Sequence, residues 1–170
     1  DEYNKPDLSH VASRRSSAQS MIRQRGAEFA EQHRITLHSD CPVLSIDRQR
    51  QVVVTEAGEF AYGQLVLATG ASAMRPAFPG AESLVSLNSL QEYAGVEERL
   101  RQAKRIMILG AGLIGCELAM DMASDNRQVI LVDLADTPLS ALLPDFLSQP
   151  LHQALRQQGV ELLERLRSNT

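Results

Sequence analysis

The chain has 170 residues, 17 Lys plus Arg against 21 Asp plus Glu and a formal charge of −4, which suits one domain or pieces of two. Hydrophobic residues reach 44%, enough for a core, while aromatic content of 4%, no tryptophan and mild acidity disfavour a nucleic-acid partner. No run of ~18 apolar residues, no basic-then-apolar leader in DEYNKPDLSH and only two cysteines, Cys41 and Cys116, leave a soluble, cytoplasmic, aliphatic-cored chain with no membrane role.

The first stretch is polar and broken by Pro6 and a run of serines. From Ser20 to Gln32 the spacing of Met21, Ile22, Ala27, Phe29 and Ala30 predicts a helix. After His33 the period changes, and Ile35 and Leu37 alternating with Thr36 and His38 predict a short strand. Val43, Leu44 and Ile46 form a second apolar segment. Gln51–Thr55 then turns through Thr55-Glu-Ala-Gly58 into Phe60 and Tyr62, a predicted hairpin. Gln64–Ala68 (QLVLA) is short and continuously apolar, the pattern of a strand buried on both faces. It runs into Thr69-Gly70, and RPAFPG at Arg75–Gly80 breaks any regular element.

A helix is expected after Ser89, with Ser89 as cap and Glu92 completing a capping box. Its apolar side would be Leu90, Tyr93, Val96 and Leu100. Arg105–Leu109 (RIMIL) reads as strand, Gly110–Gly115 as a glycine-rich turn, and Cys116–Ala123 as helix with Leu118, Ala119 and Met122 inward. Asn126 is suited to a left-handed cap after that helix. Gln128–Val132 is the next strand, ended by Asp133. A helical stretch interrupted by Pro144 and Pro150 follows, then a third strand, Val160–Leu163, at risk of being unpaired. Strand, helix, strand, helix, strand predicts an α/β fold with a parallel, Rossmann-like sheet.

The sharpest motif is Gly110-Ala-Gly112-Leu113-Ile114-Gly115, between a strand and a helix. There Gly110 permits the tight turn, Gly112 lets a pyrophosphate approach the backbone and Gly115 lets helix and strand pack closely. The helix N-terminus adds free N–H groups and a favourable dipole. Asp133 stands 18 positions after Gly115, where a carboxylate binds the adenosine ribose hydroxyls and repels a 2′-phosphate, so NADH is favoured over NADPH. The bland alternative is a packing turn with a surface aspartate. Glu117, on an otherwise apolar helix start, either caps nearby N–H groups or faces a ligand. Cys116 reads as a small core residue. The absence of CxxC, CxxxxC, HExxH and GxSxG patterns argues against a redox dithiol, a zinc site and hydrolase chemistry, and no metal is expected at His10, His33, His38 or His152.

Three segments carry a resemblance: Glu2–His10 (EYNKPDLSH), Leu65–Gly80 (LVLATGASAMRPAFPG) and Arg105–Asp121 (RIMILGAGLIGCELAMD), continued by VILVDLADTPL. They resemble the FAD-dependent pyridine nucleotide oxidoreductases, and with LNSLQEY the rubredoxin and flavorubredoxin reductases among them. The resemblance implies FAD and NADH as cofactors and a rubredoxin or flavorubredoxin iron centre as electron acceptor. It places Lys5 and Pro6 beside the flavin ring, Val43 at its adenine side, Thr69 and Gly70 near FAD, and Glu117 toward the flavin–nicotinamide junction. Read from residues alone, Lys5 is equally a solvated charge and Val43 plain core. No separate catalytic residue is expected.

The family's first glycine turn, its C-terminal Gly-Asp segment and its interface domain are not found, so the chain resembles an internal fragment, inactive alone. Residues 1–78 would be the C-terminal-side portion of an FAD-binding domain, 79–102 a crossover linker and helix, and 103–170 an incomplete NAD-binding domain. An acidic rubredoxin calls for a basic patch, with Arg14, Arg15, Arg23 and Arg25 as candidates, equally readable as a solvated face. The competing functions are a ferredoxin reductase or NADH oxidase of the same fold, and a nucleotide-binding fragment without activity. A plain NAD dehydrogenase is weaker, because no His or Lys is placed for its acid–base step.

Overall fold

The computed structural model describes residues 1–13, 16–123 and 127–163. In chain order the elements are β1 (Glu2–Tyr3), α1 (Leu8–Ser13), β2 (Ile22–Gln24), α2 (Gly26–His33), β3 (Val43–Asp47), β4 (Val52–Thr55), β5 (Gly58–Ala61), α3 (Leu90–Gln102), β6 (Arg105–Leu109), α4 (Leu113–Ala123), β7 (Gln128–Val132), α5 (Asp145–Gln157) and β8 (Val160–Leu163). They divide into two compact units, Asp1–Glu2 with Gln24–Met74 and Tyr3–Arg23 with Arg75–Thr170. Arg14, Arg15 and Asn126 lie outside the described residues, as does the polar tail after Leu163.

In the first unit, the predicted hairpin forms and gains a third strand, giving an antiparallel meander β3-β4-β5. Val53 pairs with Ile46 on one side and Phe60 on the other. Thr55 closes the turn, its Oγ1 donating to the Gly58 carbonyl at 2.9 Å and accepting from the Ala57 N–H at 3.2 Å. Gly58 sits at φ 133°, a conformation that L side chains rarely adopt.

Three expectations need correction. The helix predicted over Ser20–Gln32 starts only at Gly26, and Ile22–Gln24 is strand. Its start is fixed there because Asp1 Oδ1 accepts the Gly26 N–H at 3.0 Å and Glu28 reaches back to the Arg25 N–H at 3.3 Å. The predicted strand at Ile35–His38 is irregular. Ile35 donates its N–H to Ala30 at 3.0 Å and so closes the end of α2, with Arg34 left-handed at φ 54°. Gln64–Ala68 is likewise no strand, and Val66 is 85% exposed. A strand buried on both faces takes its hydrogen bonds from flanking strands, and no described strand pairs with this segment.

The second unit is built on the parallel sheet β6-β7-β8. Met107 pairs with Ile130, and Leu131 with Leu162, so the apolar run VILV is the middle strand. β8 is therefore paired with β7 along its length, correcting the expectation of an unpaired strand, and it forms one edge of the sheet. Helix α4 lies against all three strands, α5 packs on β8, and α1 packs on α4. The core collects Cys116, Ala119, Met122, Val129, Leu131, Leu155 and Val160. Ala119 and Met122 face inward as their spacing requires. α5 runs unbroken through Pro150, correcting the expected interruption. Its start is set by Pro144, whose carbonyl accepts from the N–H groups of Leu147 and Ser148.

Ser89 caps α3, its Oγ accepting the Glu92 N–H at 3.1 Å. The Glu92 carboxylate accepts the Asn88 N–H at 2.6 Å, and that bond above all holds its carboxyl below the usual carboxylate range. Tyr93, buried on the opposite face, donates its hydroxyl to the Ser16 carbonyl.

Candidate functional site

The glycine turn falls at the C-terminal end of β6, beside that of β7, where an open parallel sheet presents its crevice. Gly110 takes φ 100° and its N–H donates to the Val132 carbonyl at 2.8 Å, tying the turn to the end of β7. A Cβ on Gly115 would stand 1.8 Å from the Gly110 carbonyl oxygen, so helix and turn meet at a distance only glycine permits. A Cβ on Gly112 would meet nothing within 4 Å. The backbone there is open to a ligand. Leu113 and Ile114, the first residues of α4, are also exposed, and the first-turn N–H groups of a helix have no partner within it.

Asp133 joins the end of β7 to this turn. Its Oδ2 accepts the Ala111 N–H at 2.5 Å and its Oδ1 accepts the Ala135 N–H at 2.8 Å. Ala111 itself is buried, and its carbonyl takes the Leu139 N–H at 2.9 Å. It is the residue of this turn that motif reading passed over, since its role is carried by backbone atoms. Beside Asp133 opens a shallow cavity of about 580 Å³ lined by Ala135, Asp136, Thr137, Ser140, Asp145 and Gln149. The turn, the helix start and a carboxylate at the strand end therefore come together, and they fit a dinucleotide.

One turn into α4, Glu117 is exposed. Its Oε1 accepts a hydrogen bond from Ser9 Oγ at 2.6 Å and lies 3.7 Å from His10 Nε2. His10 Nδ1 and Asp121 Oδ2 share a hydrogen bond at 2.6 Å. Sequence reading gave Ser9 no role and weighed His10 only as a metal ligand, because their partners lie 108 and 111 positions away. Lys5 and Pro6 are exposed, and Lys5 Nζ donates to Asn88 Oδ1 at 2.8 Å. Cys116 is buried under the turn, and burial pushes its thiol up to about 11.

Val43, Thr69 and Gly70 belong to the other unit. All three are exposed, and Gly70 takes φ 69° with open space where a Cβ would point. They present accessible backbone, as a ligand contact requires. Among the basic-patch candidates, Arg25 is paired with Asp1 at 2.8 Å within that unit, and Arg23 lies 3.8 Å from Asp7 within the second. Both cysteines are free thiols. Among the described residues no helix is long and apolar enough to cross a membrane.

Residues 3–167 match the family described as pyridine nucleotide-disulphide oxidoreductase. The protein named nitric oxide reductase FlRd-NAD(+) reductase of Aeromonas hydrophila subsp. hydrophila is 70% identical over 162 residues, which cover 95% of this chain and 42% of that protein. The chain thus spans less than half the length of this relative. A ferredoxin reductase from Rhodopseudomonas palustris, 27% identical, superimposes with a TM-score of 0.83 over 97% of this chain and 41% of its own. The NADH:rubredoxin oxidoreductase of Clostridium acetobutylicum, at 20% identity, TM-score 0.83 and coverage of 97% and 44%, speaks for the fold alone.

Proposed function

Because the chain belongs to the pyridine nucleotide-disulphide oxidoreductase family, we propose that it forms part of a cytoplasmic FAD-dependent reductase that carries electrons from NADH to the iron centre of a rubredoxin or flavorubredoxin. The observation that carries this reading is the glycine turn bound to Asp133 through the Ala111 N–H. When bound, NADH supplies a hydride and FAD passes the electrons on singly to the iron acceptor, so the cofactors carry the redox chemistry. The chain's residues bind and orient.

Gly112, Leu113 and Ile114 offer backbone N–H groups to a pyrophosphate, aided by the helix dipole. Asp133 takes the adenosine ribose hydroxyls at the far end. Asp136 and Asp145 in the neighbouring cavity add negative charge, which disfavours a 2′-phosphate and selects NADH over NADPH. Glu117 lies toward the flavin–nicotinamide junction. Lys5 brings positive charge to the flavin ring, with Pro6 beside it. Val43 meets the adenine side of FAD, and Thr69 and Gly70 pass close to that cofactor. On this reading residues 1–78 belong to the FAD-binding part, 79–102 are the crossover, and 103–170 bind NADH. No dithiol is needed along the path, in keeping with two free cysteines.

The test is anaerobic mixing of the whole FAD-loaded reductase of which the chain forms part with NADH, followed by addition of flavorubredoxin. Loss of the flavin's visible band and then reduction of the acceptor's iron is the expected sequence of events. Failure to reduce the acceptor with the flavin already reduced would reject the acceptor but leave the NADH site. Similarity to the Rhodopseudomonas palustris protein favours a second reading, ferredoxin as acceptor, and a side-by-side acceptor assay decides between them.

A further inference from the structure

Helix α1 is only one and a half turns long, yet two adjacent residues on it grip two residues one turn apart on α4. Ser9 is 7% exposed and its hydroxyl meets Glu117 Oε1 at 2.6 Å, while His10 meets Asp121 at 2.6 Å. A buried hydroxyl needs an acceptor, and here the strong one is an ionisable carboxylate; its contact to the Pro6 carbonyl is long at 3.4 Å. The Glu117 side chain is by contrast 45% exposed, and a carboxylate so open to water has many rotamers to choose from unless something holds it.

We propose that Ser9 is a positioning residue for Glu117: its hydroxyl fixes the direction of the Glu117 carboxylate on α4 and thereby links the segment that follows Lys5 and Pro6 to the helix that begins at the glycine turn. The proposal rests on the reading of Glu117 as the side chain facing the flavin–nicotinamide junction. It deepens that reading, because a carboxylate serving two cofactors is useful only when its oxygens are held in one geometry. His10, 3.7 Å from the same oxygen and bound to Asp121, brings a second side chain of α1 to that oxygen. The bond joins two helices that pack on each other, so the geometry is built in by packing of α1 on α4.

The experiment uses Ser9→Ala, Ser9→Thr, Glu117→Ala and the Ser9→Ala/Glu117→Ala pair in the FAD-loaded protein. Three quantities are read: flavin reduction rate at saturating NADH, the Kd for ADP-ribose, and the unfolding midpoint of the flavin-free protein. Loss of one hydrogen bond to a charged group lowers the reduction rate about tenfold in Ser9→Ala. ADP-ribose binds at the Gly112–Asp133 end, so its Kd stays unchanged. Ser9→Thr, which keeps the hydroxyl, restores the rate. On the Glu117→Ala background Ser9→Ala adds no further loss, and the unfolding midpoints of the pair are non-additive in the same sense.

A silent Ser9→Ala overturns the proposal, as does a Ser9→Ala loss repeated in full without Glu117, or one accompanied by weaker ADP-ribose binding. These outcomes leave Glu117 at the junction if Glu117→Ala is itself slow. A normal rate in Glu117→Ala would instead remove the underlying reading, and the proposal with it.

Discussion

Replacing Gly115 with alanine probes the turn where the geometry is most constrained. The added methyl would stand 1.8 Å from the Gly110 carbonyl oxygen and 3.0 Å from its carbon, and both are backbone atoms that cannot swing aside. Either α4 moves away from β6 or the Gly110–Ala111 peptide rotates and loosens the Ala111 N–H bond to Asp133. Overpacking of this kind costs about 1–3 kcal/mol. Against it stands the better helix propensity of alanine, up to about 1 kcal/mol at an interior position and less in the first turn. A net loss of about 2 kcal/mol shifts the unfolding midpoint of a chain this size by roughly 4–8 °C. The same displacement spoils the N–H cradle, so NADH affinity falls in parallel. Thermal unfolding by circular dichroism and an NADH titration read the two effects. Gly115→Ala with wild-type Tm and wild-type NADH binding would refute the close approach and the site built on it.

Gly112→Ala, which meets nothing within 4 Å, leaves stability within about 0.5 kcal/mol of wild type yet weakens NADH binding, because the methyl occupies the space a pyrophosphate would enter. Asp133→Ala strands the Ala111 and Ala135 N–H groups and removes the repulsion of a 2′-phosphate, so stability drops by about 1–2 kcal/mol and the ratio of NADPH to NADH affinity rises in competitive titration. Glu92→Gln at the start of α3 costs about 0.5–1 kcal/mol at neutral pH; because the folded carboxyl titrates below its ordinary range, the difference from wild type is present above that range and is lost as pH falls from it through the lower folded value in urea melts. The Cys116 thiol, raised to about 11 by burial, favours folding below its ordinary value of 9.0 and loses that contribution as pH climbs toward 11; iodoacetamide at pH 8 accordingly modifies Cys41 and spares Cys116 in the native protein, checked by peptide mass.

The glycine turn was legible in the sequence because everything that makes it is local. RIMIL, GAGLIG, the apolar stripe of α4 and VILV-Asp133 lie in one stretch, and glycine at Gly110 and Gly115 answers to backbone demands that spacing alone reveals. Gln64–Ala68 shows the opposite case: its apolar run predicts burial on two faces, yet Val66 is 85% exposed, because a strand needs flanking partners that the segment itself does not encode. The helix over Ser20–Gln32 was overextended because Met21 and Ile22 keep the helical period, while the start at Gly26 is set by Asp1, 25 positions away. Pro150 misled in the other direction. Its missing N–H removes one bond from α5, and burial of Leu155 and Ser148 on either side holds the helix together. Ser9 and His10 were invisible for a plain reason: nothing in a hydroxyl or imidazole near the start of a chain announces a partner on a helix more than a hundred residues later.

The central claim is that the Gly110–Gly115 turn and Asp133 form an NADH site. Equilibrium titration of the protein with NADH and with NADPH, under one salt condition, tests it most directly. Saturable NADH binding at least tenfold tighter than NADPH is predicted, from the loss of one charge-assisted interaction worth about 1.4 kcal/mol or more. Equal affinities, or no saturable binding of NADH, would contradict the account.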